Sequence, residues 1–86
     1  MEIIIVTEPD ACAPCKYYEL TVQEMKREYP RIVTVLDRNE ALRLREFPKQ
    51  IPFTLIRNKS TGKLWTQVGP VSKEEFKRAL DSLRSP

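Results

Sequence analysis

The run Ile3-Ile4-Ile5-Val6-Thr7-Glu8-Pro9-Asp10-Ala11-Cys12-Ala13-Pro14-Cys15 decides how the rest of the chain is read. Its first five residues are all β-branched, the signature of a central strand, Ile3–Thr7, buried on both faces. Glu8 to Ala11 is a loop, and a helix is expected to start near Cys12. The helix carries an apolar stripe, Tyr18, Val22, Met25 and Tyr29, at i, i+4, i+7 and i+11, and Pro30 stops it. Ile32–Leu36 reads as a second buried strand. Strand, helix and strand form a βαβ unit, normally parallel with a right-handed crossover. Both cysteines therefore fall at the junction between a buried strand and a helix.

Further along, Asn39 is expected to cap a short helix running through Phe47 and ended by Pro48. Phe53–Arg57 reads as a third strand, Asn58 to Gly62 as a turn cluster, and Leu64–Val68 as the return arm of a hairpin. Gly69-Pro70 breaks that strand. Ser72 and Glu75 then form a capping box, and Val71 and Phe76 a hydrophobic staple. The last helix has the stripe Phe76, Ala79, Leu80, Leu83. The order βαβ-α-ββ-α specifies an α/β fold with a mixed four-stranded sheet flanked by three helices. Trp65 is expected to pack against the sheet, and Tyr17, outside the stripe, to stand partly exposed beside the cysteines.

At 86 residues the chain is read as one domain, 1–86. A fold of this size buries only roughly 60–65% of the surface its unfolded chain exposes. That points away from a multidomain enzyme and from a fold enclosing a dinucleotide; no cofactor is expected. Fifteen Lys and Arg face twelve Asp and Glu, a net charge of +3, and the signs are interleaved. Arg43, Arg45 and Lys49 make a small patch that reads as solvated surface, so no nucleic-acid partner is expected. The absence of histidine removes the commonest general base and metal ligand. The apolar start is flanked by acids and is too short for a signal peptide or a membrane span, so the expected location is the cytoplasm. A monomer is the default.

Cys12-Ala13-Pro14-Cys15 carries the chemistry. Two cysteines separated by two residues in a first helical turn can bring their sulfurs within bonding distance. The first sulfur faces unpaired backbone N–H groups and the positive end of the helix dipole, which favour the thiolate that attacks disulfides. Pro14 suits an early helical position, where its missing N–H costs nothing. Lys16 adds positive charge. On this reading Cys12 is the nucleophile and Cys15 resolves the mixed disulfide. The competing readings are a structural bridge and a metal shared between two copies. A bridge closing so short a loop gives only about 2 kcal/mol. One cysteine pair without histidine supplies half a tetrahedral site, so no metal is assigned within one chain. Ile51-Pro52, taken alone, reads as a trans bond opening the third strand.

These motifs together resemble the thioredoxin family over nearly the whole chain. Ala11-Cys12-Ala13-Pro14-Cys15-Lys16 is similar to the family's Trp-Cys-Gly-Pro-Cys-Lys centre, and Asp37 ends the second strand as it does there. Ile51-Pro52 stands where the family has its cis-proline, and Val68-Gly69-Pro70-Val71-Ser72-Lys73 resembles its Val-Gly-Ala-x-Ser-Lys segment. The resemblance implies a thioredoxin-like fold and a cis Pro52 facing the sulfurs. It also implies an Ile51 backbone that pairs with an extended substrate, and room beside Gly69. Active-site support falls on Pro14, Lys16 and Pro52, and substrate contact on Ala11, Ala13, Ile51, Gly69 and Pro70. The implied partners are disulfide-containing proteins, ribonucleotide reductase among them, with thioredoxin reductase or glutathione as electron donor.

The chain also departs from the family. The extra first strand and helix of the long form are missing, as in glutaredoxins and compact redoxins of prokaryotic and phage type. Val6 replaces a buried aspartate that assists the second cysteine, leaving water, Glu8 or Asp10 for that task. Ala11 replaces the tryptophan. Ser72 and Lys73 stand where glutaredoxins hold glutathione with acids, which favours a protein-disulfide reductant over a glutathione-dependent glutaredoxin. A binding module that uses the same groove without catalysis is the alternative from another class.

Overall fold

Alternation along one central strand organises both sides of the sheet. In the computed structural model, which describes residues 1–84, this strand is β1 (Glu2–Val6). Ile3 and Ile5 point into one apolar cluster and Ile4 and Val6 into another, because successive strand side chains face opposite ways. All four are buried, as their unbroken β-branched sequence requires. The elements that follow are α1 (Ala13–Glu28), β2 (Val33–Leu36), α2 (Arg38–Ala41), β3 (Phe53–Arg57), β4 (Leu64–Val68) and α3 (Lys73–Arg84). The strand order is β2-β1-β3-β4, with β2 parallel to β1 and with β3 and β4 antiparallel to their neighbours. The expected α/β architecture, a mixed four-stranded sheet with three helices, is the one observed.

The larger cluster lies under α1 and α3. Tyr18, Val22 and Met25 of α1 meet Phe76, Ala79, Leu80 and Leu83 of α3 across Ile3, Ile5 and Ile56. Both helical stripes read from the sequence are thus buried, and Tyr29 and Trp65 pack at the margin. The α3 start is fastened as expected: Glu75 N donates to Ser72 Oγ at 3.1 Å, and Ser72 N donates to Glu75 Oε1 at 3.0 Å. Val71 is buried in the same cluster as Phe76. Lys73 reaches back to α1, with Nζ 2.7 Å from Glu28 Oε1 and 3.5 Å from Glu24 Oε2. Asn58 closes the β3–β4 turn by accepting from Ser60 N and Thr61 N, while its Nδ2 donates to the Leu83 carbonyl.

Three expected element bounds need correction, the smallest being the central strand, which runs Glu2–Val6 and not Ile3–Thr7. The second strand is not buried on both faces: β2 is an edge strand paired only with β1, and Thr34 is exposed. It also starts one residue later, since Ile32 N and Val33 N both donate to the Tyr29 carbonyl. The helix expected from Asn39 to Phe47 is a single turn. Its cap is Asp37, whose carboxylate accepts from Glu40 N at 2.8 Å while Glu40 accepts from Asp37 N at 2.9 Å. Beyond Ala41 the backbone bonds step by three, Leu44 N to the Ala41 carbonyl and Phe47 N to the Leu44 carbonyl. The physical reason is the apolar spacing. Ala41, Leu44 and Phe47 must all reach the smaller cluster with Phe53 and Leu55, and a spacing of three is met by tight turns rather than by an α-helix.

Candidate functional site

Cys12 is the N-cap of α1, with extended backbone, and Ala13 and Pro14 open the helix. The first intrahelical backbone bond runs from Lys16 N to the Cys12 carbonyl at 3.2 Å. The Cys15 amide, an otherwise orphaned helical donor, points at the Cys12 sulfur from 3.2 Å. The first turn of α1 contains no acidic residue, so no carboxylate within that turn offsets the positive end of the helix dipole. Cys12 and Cys15 lie at disulfide distance, their Cα atoms 5.2 Å apart. The pair is asymmetric: Cys12 is half-exposed, whereas Cys15 is completely buried. An outside disulfide can reach only the first sulfur.

The second half of the site comes from the chain entering β3. The Ile51-Pro52 bond is cis, as the family resemblance implies and contrary to the reading of the dipeptide alone. The Ile51 carbonyl oxygen lies 3.9 Å from the Cys12 sulfur. Gly69 N donates to the Pro52 carbonyl at 2.7 Å, joining the end of β4 to the same spot. Cys12, Ile51, Pro52 and Gly69 are thus brought together from three distant stretches of sequence. Gly69 adopts φ +100°, a region closed to most side chains, and an added Cβ would meet no protein atom within 4 Å. Its glycine identity is required by backbone conformation, and the space beside it is open.

Ala11, Ala13, Pro14 and Lys16 stand exposed around the sulfurs, and Tyr17 is 85% exposed next to them. Pro70 is exposed too, its carbonyl taken by Gln67 Nε2 at 3.1 Å. Arg43, Arg45 and Lys49 are all exposed. Of the acids considered as helpers of Cys15, Glu8 is engaged elsewhere, its Oε2 accepting from Arg38 N at 2.8 Å at the start of α2. Asp10 faces solvent, and Val6 is fully buried.

Two features escaped sequence reading. Lys49 has φ +67°, a left-handed conformation that costs a side-chain-bearing residue about 1–2 kcal/mol, just where the chain turns into Gln50 and Ile51. No glycine or asparagine announces it. Tyr18, read only as core, also shares a 2.6 Å hydrogen bond with Thr54 Oγ1. Apolar spacing along a helix does not show where a tyrosine hydroxyl will find its partner.

A cavity of about 260 Å³ opens between α1 and β2, lined by residues such as Pro9, Val22, Val35 and Leu36 and by neither cysteine. Among the described residues no three His, Cys, Asp or Glu side chains converge, and no helix is long and apolar enough to cross a membrane. No protein-family model matches the chain, and no curated protein does either.

Proposed function

We propose that the protein is a thiol–disulfide oxidoreductase of thioredoxin-like fold that reduces disulfides in other proteins through Cys12 and Cys15. The observation that carries this reading is the asymmetry of the pair: a half-exposed sulfur at a helix N-cap, with its partner wholly buried one turn inside.

In the reduced protein the Cys12 thiolate attacks one sulfur of the substrate disulfide. A Cys12–substrate bond forms, the substrate S–S bond breaks, and the departing thiolate takes a proton. Cys15 then loses its proton and attacks the Cys12 sulfur. The intramolecular disulfide forms and the second substrate thiol leaves. Two electrons pass from the dithiol to the substrate, and an external thiol donor, a thioredoxin reductase or glutathione, returns them. The Ile51 backbone, beside the reacting sulfur, suits an extended substrate segment, and the open ground at Gly69 leaves it room.

Insulin-disulfide reduction in the presence of dithiothreitol tests the proposal. The parent protein should accelerate reduction, and Cys12→Ser should fall to the rate of dithiothreitol alone. A parent no faster than the reagent supports a binding module. Re-reduction of the oxidised form by NADPH with thioredoxin reductase, or by glutathione with its reductase, identifies the donor.

A further inference from the structure

Tyr18 and Thr54 lie on the two halves of the site. Tyr18 sits one helical turn beyond Cys15 on α1, and Thr54 is the second residue of β3, two positions after Pro52. Both are buried, and their hydroxyls meet at 2.6 Å. Among the described residues this is the one side-chain hydrogen bond joining α1 to the sheet. Apolar packing also holds α1 against the sheet, including the Tyr18 ring stacked on Phe76 with centroids 6.3 Å apart, and Lys73 ties the far end of α1 to α3 through Glu24 and Glu28.

Apolar packing is non-directional and tolerates sliding, whereas a hydrogen bond has a fixed length and direction. Phenylalanine would fill the Tyr18 site as core. Burying two hydroxyls costs desolvation that packing does not require. Burial pushes the Tyr18 hydroxyl above its ordinary range, so it stays protonated and keeps the bond at any working pH. A closed ring of connections results. From the Cys12 sulfur it runs down α1 to Tyr18, across to Thr54, back along the chain to Ile51, and over 3.9 Å to the same sulfur.

We infer that Tyr18 and Thr54 are a positioning pair, which sets the Cys12 sulfur against the Ile51 backbone and so governs attack on disulfides in extended peptides. The inference rests on the redox reading of Cys12 given above. It concerns alignment and not the intrinsic reactivity of the sulfur, so two reactions of the same thiolate should separate. Attack on a peptide disulfide needs both the sulfur and the Ile51 backbone in register. Alkylation by iodoacetamide needs only the sulfur.

The test measures second-order rates of the reduced full-length protein with two reagents. One is an unstructured peptide whose single cysteine is disulfide-linked to mercaptoethanol; the other is iodoacetamide. Tyr18→Phe and Thr54→Val should each slow peptide exchange about tenfold, an order less than the roughly hundredfold that a full ångström of misplacement can cost. Alkylation should stay within about twofold of the parent. Thr54→Ser, which keeps the hydroxyl, should restore exchange, and the double variant should be no slower than the slower single one. Thermal unfolding of each variant checks that it is folded at the assay temperature, and if Tyr18→Phe is not, the two Thr54 variants carry the test. Equal slowing of both reactions, or unchanged peptide exchange, overturns the inference while leaving the redox reading intact. A parent that is alkylated readily but never exchanges with the peptide overturns both.

Discussion

The starts of α1 and α3 are built on the same plan and finished with different atoms. At α3 the hydroxyl of Ser72 takes the Glu75 amide, and the Glu75 carboxylate takes the Ser72 amide, so two orphan donors are satisfied by oxygen. At α1 the corresponding place is held by the Cys12 sulfur, which faces the Cys15 amide, and no acid follows in the first turn. The short α2 sides with α3, capped reciprocally by Asp37 and Glu40. Where the chain needs only to begin a helix it supplies a complete oxygen cap. At α1 the cap is a polarisable sulfur and the first turn carries no carboxylate. On the proposed function, the difference separates a structural terminus from a chemical one.

The largest effect should come from breaking the chemical terminus. Cys15→Ser leaves Cys12 able to attack but removes the sulfur that releases the substrate, so the protein should accumulate as a covalent mixed disulfide with insulin chains. Non-reducing mass spectrometry reads this directly, and free turnover by the variant would contradict the assigned order of the two sulfurs. A smaller effect is expected when α1 is made to resemble α3 by placing an acid near its start. Lys16→Glu exchanges a favourable charge for an unfavourable one, each worth about 0.3–1 kcal/mol near a helix terminus. The pKa of the Cys12 thiol should therefore rise by roughly 0.4–1.5 pH units. The pH profile of its alkylation measures the shift, and an unmoved profile would mean that side-chain charge at the start of α1 does not act on Cys12.

The structural terminus should respond in stability and not in chemistry. Ser72→Ala should cost about 1 kcal/mol and lower the thermal midpoint by roughly 4–8 °C, with alkylation of Cys12 unchanged. Least of all is the pH response of this cap at neutrality. The hydrogen bonds from Ser72 hold the Glu75 carboxyl below the ordinary range, and the Lys73 hydrogen bond and charge do the same for Glu28. A carboxyl depressed in the folded state stabilises fully above its unfolded value, about 4.3, and that contribution is lost as pH falls through the folded one. The thermal midpoint should therefore be flat from pH 7 to about 5 and decline below 4. Glu75→Gln should show a shallower decline, and an identical one would deny the cap this role.

Most of the scaffold and part of the site were legible in the sequence, for identifiable reasons. β3 and β4 have the expected limits because the Asn58 to Gly62 turn and Gly69-Pro70 bound them with residues that favour those conformations. α3 was announced by its capping box. α2 was overread because Ala41, Leu44 and Phe47 mimic a helical stripe, although their even spacing of three belongs to successive tight turns. The edge position of β2 depends on which strands pair, a tertiary outcome that an apolar run such as Ile32–Leu36 does not encode. At the site, Cys12 and Cys15 announced themselves by local spacing. The approach of Ile51 and Gly69 to them is long-range and was expected only through resemblance. The left-handed Lys49 and the Tyr18–Thr54 bond had no sequence signal, since neither residue type advertises that role.

On the proposed function, the α1 terminus makes Cys12 an anionic nucleophile near neutral pH. The decisive measurement is the rate of Cys12 alkylation against pH in the Cys15→Ser variant, where only one thiol is present. The midpoint is expected at least about one unit below the value near 8.5 of free cysteine. A midpoint at or above that value would rule out an activated Cys12.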